Sequence, residues 1–326
     1  MRIRIIVLLL MLAVPLNVHA TNLGYAREDG GRPGVFLSFG AGARALGMGR
    51  TFVGIADDAT ATYWNSAGLV QIKQDEVTAL YASLYEQTGY SFAAYAHPLS
   101  GDHGTLGVAL VNLNSGGFQL RDEFNFSQGI ATLNETAALF SYARTLWGEK
   151  KNGGLSAGID LIVVNQNINS ISDTGYGMDI GLFLKPWGSA RQIRSLAPLS
   201  LGLNLQNVIA PTLELQQSAD KYPFGATLGL GYRLFENRLL LALDINKSED
   251  QQVKTRFGGE YTVINMFAIR AGINETELTF GLGYKWRNYA LDYALAYHDA
   301  WSADIDDNLG ISHRFSLTLR FGNSNQ

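Results

Sequence analysis

The feature that most constrains this chain is a period of two. Phe224, Ala226, Leu228, Leu230, Tyr232 and Leu234 are apolar at every second position, with Gly225, Thr227, Gly229, Gly231 and Arg233 between them. Successive side chains of a strand point to opposite faces, so such a segment has one oily face and one small or polar face. The pattern returns in Leu239, Leu241, Leu243 and Ile245, and in Leu278, Phe280, Leu282, Tyr284 and Trp286. It returns again in Tyr289, Leu291, Tyr293, Leu295 and Tyr297, and in Phe315, Leu317, Leu319 and Phe321. These segments run to about ten residues, the length of a tilted strand crossing a bilayer, where sandwich strands average ~5–6. Their second faces carry Gly, Ala, Ser and Thr with isolated charges, unlike the Lys- and Glu-rich outside of a sheet in water. The expected fold class is all-β, a transmembrane antiparallel β-barrel.

About fourteen such segments can be marked: 77–85, 89–97, 104–112, 135–147, 154–164, 175–185, 198–208, 223–234, 237–247, 253–263, 266–273, 277–286, 288–298 and 310–321. An even count closes an antiparallel barrel with both termini on one side. The links after odd-numbered segments include four long ones (113–134, 165–174, 209–222 and 299–309), whereas those after even-numbered segments include the tight Phe235-Glu236, Ile264-Asn265 and Arg287. Short turns at one end and long loops at the other suit a barrel, although 186–197 is a long link at the short end. Trp147, Trp187, Phe235, Phe267, Trp286, Tyr289 and Phe321 cluster toward the short-turn end, where an interfacial aromatic girdle belongs.

Composition narrows the alternatives. Of 326 residues 36 are Gly, charged residues are 17% and none is Cys, which excludes disulfides, thiol chemistry and Cys-ligated metal. Residues 1–20 read as a signal peptide: Arg2 and Arg4, an apolar run from Ile5 to Leu16, and the small-residue ending Val18-His19-Ala20. Removing the two arginines leaves the chain more acidic than its formal net charge of −4, so nucleic acid is not an expected partner. After Ala20 no stretch approaches the ~18 apolar residues of a membrane helix.

Residues 21–76 are expected to form a compact hatch inside a barrel spanning 77–326. Alternation fails there, and Gly40 to Gly49 holds four glycines. A short helix from Ala59 to Ala67, capped by Asp57 or Asp58, fits the pattern. Three stretches carry a resemblance: Gly42-Ala43-Arg44-Ala45-Leu46-Gly47-Met48-Gly49, Ala56-Asp57-Asp58-Ala59, and Tyr63-Trp64-Asn65-Ser66-Ala67-Gly68-Leu69. They resemble the N-terminal signature of PorV/PorQ-type outer-membrane proteins, within the FadL-like (FadL/TodX) barrel superfamily. Leu241-Ala242-Leu243-Asp244, Gly258-Gly259-Glu260-Tyr261 and His313-Arg314-Phe315-Ser316-Leu317 are similar to that family's C-terminal half. Asn65-Ser66-Ala67-Gly68 stands where the family reads Asn-Pro-Ala-Gly, which frees one φ angle of the hatch turn.

The resemblance implies fourteen strands, an N-terminal hatch and one of two roles. FadL-like members pass hydrophobic small molecules through the outer membrane; PorV-like members bind exported proteins in type IX secretion. A structural barrel without transport is the third alternative. Expected partners are outer-membrane lipid, the barrel-assembly machinery, and either hydrophobic small molecules or an exported protein or secretion pore docked on loops 113–134, 209–222 and 299–309. The candidate hatch and ligand residues are Phe36, Phe39, Phe52, Asp57, Asp58, Tyr63, Trp64 and Asn65. Asp160, Asp179, Arg233, Asp244, Lys254, Arg256, Glu260, Arg270, Lys285 and Asp292 fall in the polar register, as do Arg314 and Arg320. Charge facing lipid at the midplane costs ~2–4 kcal/mol for Arg or Lys, so these residues should line the lumen as a mixed-sign network.

Enzyme-like patterns sit in the wrong context. Gly154-Leu155-Ser156-Ala157-Gly158 matches G-x-S-x-G, but alternation runs straight through it with no strand-turn-helix elbow. Gly40-x-Gly42-x-x-Ala45 mimics a dinucleotide fingerprint without a βαβ unit. His97, His103, His298 and His313 have no metal-ligand spacing. No enzymatic activity, cofactor or metal is expected.

Overall fold

The structure, a computed structural model, describes residues 32–84, 88–122, 124–149, 153–169, 171–186, 193, 196–215, 219–249, 251–298 and 310–322. The expected signal peptide (1–20), residues 21–31, Trp187 and link 299–309 lie outside the described residues. Fourteen strands close into one antiparallel barrel. In chain order they begin with β1 (Asp75–Ser83), β2 (Thr88–Pro98), β3 (Thr105–Arg121), β4 (Ser127–Glu149), β5 (Gly153–Ile168), β6 (Ile171–Lys185) and β7 (Leu199–Ile209). A small hairpin, β8 (Thr212–Glu214) with β9 (Ala219–Lys221), sits outside the barrel sheet. The barrel continues with β10 (Gly225–Leu234), β11 (Leu239–Ser248), β12 (Lys254–Ile264), β13 (Phe267–Ile273), β14 (Glu277–Trp286), β15 (Tyr289–His298) and β16 (Ile311–Phe321). β1 pairs with β16, Val77 opposite Leu319, so no edge strand is left.

The alternation sorts side chains as expected along most of the wall. Leu106, Val108, Leu110, Phe140, Leu161, Phe280, Leu282, Leu291, Phe315 and Leu317 are exposed on the outer face. Together they make a continuous apolar belt that water does not solvate, and lipid is its natural solvent. One expectation changes. On β1–β5 much of the inward row is apolar as well: Leu80, Phe92, Val111, Leu139, Ile162 and Val164 are buried inside, with the carboxyls Glu76, Glu135 and Asp160 buried among them. The lumen therefore has a mostly oily side along β1–β5 and an ionic side along β10–β16.

The strands are also uneven. β10–β16 run 7–11 residues, but β3 has 17, β4 has 23, β5 has 16 and β6 has 15. Most of the expected loop 113–134 is strand, and so are Asn165–Ile168 and Ile171–Thr174 in link 165–174. The barrel thus carries a raised wall on its long-loop side.

Residues 32–74 precede β1 and fill the lumen. The hatch begins with a 3-10 turn, Val35–Ser38, followed by α1 (Ala43–Leu46), α2 (Ala61–Trp64) and a second 3-10 turn, Ser66–Gln71. The helix expected over 59–67 is a single turn, because Asn65 swings to extended backbone (φ −170°, ψ 98°) and its side chain accepts from Ala67 N to start the next turn. That extended conformation is also the one a proline at position 66 would require of its predecessor, so Ser66 leaves the turn's shape in place. Asp58 helps from outside the helix by accepting from Thr60 N at 3.0 Å.

Candidate ligand site between hatch and wall

Irregular backbone buried in a lumen must find partners for its N–H groups. The wall supplies them with side chains. Asp244 Oδ2 accepts from Phe52 N at 2.9 Å and Val53 N at 3.1 Å, Glu76 accepts from Ala59 N at 2.8 Å, and hydroxyls of Thr279 and Ser316 accept from Gly49 N and Ala43 N. In return Asn65 Nδ2 of the hatch donates to Leu182 O on β6, while Ser200 Oγ of β7 donates to the hatch carbonyl Gly54 O. Close approach on the ionic side needs inward glycine. A Cβ at Gly258 would lie 2.1 Å from Met48 O, and one at Gly272 2.1 Å from Gly49 N.

Most of the expected lumen charges converge on the hatch. Arg44 of α1 is the hub: its Nε lies 2.8 Å from Glu260, and one Nη lies 2.6 Å from Asp57 and 3.2 Å from Asp58. Asp57 also takes Arg233 at 2.7 Å, and Glu260 passes to Arg270 at 2.6 Å and on to Asp292 at 2.8 Å. Burial alone would raise the Asp57 pKa; the guanidiniums of Arg44 and Arg233 outweigh it and hold the carboxyl below its ordinary value. A second node joins Arg50 of the hatch to Glu277 at 2.8 Å, with Arg314 at 2.6 Å and His298 at 3.2 Å. A third pairs Arg256 with Glu275 in the β13–β14 turn. Burial pushes Glu275 up, but Arg256 wins and brings it to about 2.

Other expected residues stand apart from these nodes. Asp160 and Asp179 are cross-strand neighbours on the β5–β6 wall; Ser141 donates to Asp160, and Asn207 N to Asp179 at 2.6 Å. Asp244 serves the hatch backbone rather than an ion pair. Lys285 lies exposed at the short-turn mouth. Phe36 and Phe52 are fully buried in the hatch core and face no open space, while Phe39 packs on Tyr90 at 5.6 Å. Tyr63 packs on Phe92 at 6.1 Å, donates to Leu37 O and accepts from Gly40 N. Its burial raises the phenol pKa to about 12.

A cavity of about 180 Å³ remains between hatch and wall, beside the strand ends that lead into the long links. Tyr63, Trp64 and Val53 are part of its lining from the hatch. One side of the wall is apolar, Leu139 and Ile162 on β4 and β5, and the hatch adds Pro33, Val35 and Leu37 to the lining. The other is amide and hydroxyl, from Asn204, Gln206, Asn207, Thr227 and Asn246, with Lys254 and Arg256 among the liners and Asp179 near the carboxamides. Asn204 is 3% exposed and its Oδ1 has no hydrogen-bond partner. Asn204, Asn207 and Asn246 were not singled out from sequence; the signal available was an inward register filled by amides at the strand ends. A larger hollow, about 640 Å³, lies on the outer face where Gly259 and Ala271 leave a dip among Tyr261, Ile269, Phe280 and Leu282. It belongs to the apolar belt and does not reach the cavity.

The enzyme-like patterns gain no partners from the fold. Ser156 faces the lumen on β5 and donates to Thr145 at 3.3 Å, and His313 faces outward and meets the Tyr293 hydroxyl at 2.8 Å. Among the described residues no cluster of three His, Cys, Asp or Glu side chains could hold a metal ion.

No family model and no curated protein matches this sequence. Solved structures do match in fold. The chain is similar to the toluene transporter TbuX of Ralstonia pickettii, with 14% identity over 87% of this chain and 99% of that one, at a TM-score of 0.60. The toluene transporter TodX of Pseudomonas putida is similar at 14% identity, over 86% and 98% of the two chains, with the same TM-score. At such identities the likeness is one of fold alone: a closed, fourteen-stranded antiparallel barrel.

Proposed function

We propose that this protein is an outer-membrane channel for small molecules with an apolar body and a polar end, and not an enzyme. The observation that carries the reading is the two-sided cavity over the hatch. Its Leu139–Ile162 side offers apolar area, and its Asn204–Asn246 side offers hydrogen bonds, the combination that orients an amphiphile. The fold shared with two toluene transporters supports passage of hydrophobic compounds. The outward apolar belt supports residence in a lipid bilayer, and the leader-like first twenty residues support export. On this reading residues 21–76 act as the hatch, and a ligand reaches Tyr63 and Trp64 before it moves on.

Liposomes carrying the protein should take up a fluorescent fatty acid several-fold faster than empty ones. Leu139→Trp, which fills the cavity from the wall, should return the rate to the empty-liposome level. Equal rates with and without protein would end this reading.

One observation favours a second reading, a PorV-like docking protein for exported chains. The raised wall ends in a β3–β4 tip where Phe124, Phe126 and Ile130 stand about 70% exposed. Absence of uptake would leave this alternative standing.

A further inference from the structure

The outer face of the raised wall carries a pattern that neither hatch nor cavity uses. Leu110, Ala138, Val163 and Tyr176 are cross-strand neighbours and form the last apolar row on β3–β6. The next row is Asn112, Thr136, Asn165 and Thr174, and the one beyond it Asn114, Asn134, Asn167 and Ser172. All eight are partly or fully exposed and alternate with buried Val111, Leu113, Ala137 and Val164. Neither row contains a charge. Several side chains are tied to one another: Asn112 Nδ2 donates to Thr136 Oγ1 at 2.9 Å, Thr136 Oγ1 to Asn134 Oδ1 at 3.2 Å, and Asn165 Nδ2 to Thr174 Oγ1 at 2.9 Å.

We propose that these two rows are a docking surface for the saccharide headgroup of a glycolipid. The position names a lipid. Whatever covers the rows is continuous with the acyl chains that cover Leu110 to Tyr176 just beneath, which rests on the apolar belt lying in a bilayer. The chemistry names the headgroup. A phosphate would call for Arg or Lys, and none is present. Amides and hydroxyls donate and accept at once, which suits a ring of vicinal hydroxyls. Strand pairing fixes them ~4.8 Å apart across the sheet and ~7 Å apart along it. Height points the same way. β4 starts at Ser127, so it continues about seven residues past Asn134. At ~3.3 Å per residue and a tilt near 40° that adds about 18 Å, against a headgroup layer of only ~5–8 Å in an ordinary bilayer. A tall headgroup can lie against the whole of such a wall, where a short one reaches only its foot. The mutual hydrogen bonds hold the amides in place beforehand, which lowers the ordering cost of binding.

The test presents the detergent-solubilised protein with three lipids: one bearing an oligosaccharide core, the same lipid stripped of sugar but keeping its phosphates, and phosphatidylethanolamine. Native mass spectrometry reads what is retained. The sugar-bearing lipid should be held about tenfold better than either other, and the triple variant Asn112→Val, Asn134→Val, Asn165→Val should lose that preference. Free core oligosaccharide should displace the glycolipid from the wild type, a measurement that stands whether or not the variant folds. Equal retention of the stripped lipid, an unchanged preference in the folded variant, or no displacement by free sugar overturns the proposal. Retention of no lipid at all would overturn it and strike the membrane reading as well, whereas sugar indifference alone leaves that reading intact.

Discussion

Gly272 and Gly259 sit on adjacent strands and face opposite ways. A Cβ on Gly272 would press on Gly49 N and the Met48 carbonyl carbon, both at 2.1 Å; on Gly259 its nearest neighbours would be Leu241 Cδ2 at 3.4 Å and Leu240 O at 3.7 Å, both ordinary contacts. Backbone cannot yield as a side-chain tip can, so the two positions should respond differently to the same methyl group. Gly272→Ala should cost about 1–3 kcal/mol as overpacking and unseat the hatch, giving larger single-channel conductance in planar bilayers, while Gly259→Ala behaves as wild type. Equal traces from both variants would mean the hatch is not held by close backbone contact. The sequence shows that both are glycines in alternating strands, and the period assigns their faces. What it hides is the reason for Gly272, because Met48 and Gly49 lie far away along the chain. The same limit applies to Asp244: its inward register is legible, but its use as an acceptor for Phe52 N and Val53 N is not.

At the scale of elements, the hatch has little regular structure of its own and borrows its order from the wall. α1 and α2 are single turns of four residues, far below the ~12–15 residues at which an isolated helix becomes even marginal. Arg44 is therefore more than one ion pair: it joins α1 to the Asp57–Asp58 turn and to β12 at once. Replacing it with Gln keeps some hydrogen bonding but strands Glu260 and Asp57 beside one remaining cation each. Breaking a buried pair costs about 3–5 kcal/mol. Since the Arg44 side chain is 20% exposed, the low end applies. Arg44→Gln should then speed hydrogen exchange in residues 43–72 by about a hundredfold, with the strands unchanged. Unaltered exchange would show that apolar packing of Phe36, Phe52 and Leu69 holds the hatch without the hub. Broken alternation and glycines set this segment apart from the strands in the sequence, and Asp57 and Asp58 stood out there as candidate cap and hatch residues. Their partners did not, since charge periodicity says which way a side chain points and nothing about what it meets.

At the scale of the whole molecule, the barrel is lopsided, and the reading of the sequence as uniform strands missed that for a physical reason. Alternation marks a strand only where its outer face must be oily. Above the apolar belt that demand ends, and Asn112, Asn114, Asn134 and Thr136 replace Leu and Val on the same face, so the continuing strands look like loop. The strand count and the register survived because the belt alone fixes them. Height can be measured directly, and the chain's lack of cysteine makes single-site labelling clean. Nitroxides at Leu161 on β5 and Leu282 on β14 should be accessible to oxygen and shielded from a water-soluble relaxant, as hydrocarbon requires. A label at Asn167, six residues farther along β5 than Leu161 and on the same outer face, lies ~20 Å along the strand and should reverse both accessibilities. Hydrocarbon at Asn167 would place the polar rows inside the bilayer, where unsolvated amides are costly, and the raised wall would then be a thick region of membrane. Water at Leu161 and Leu282 would turn the barrel inside out.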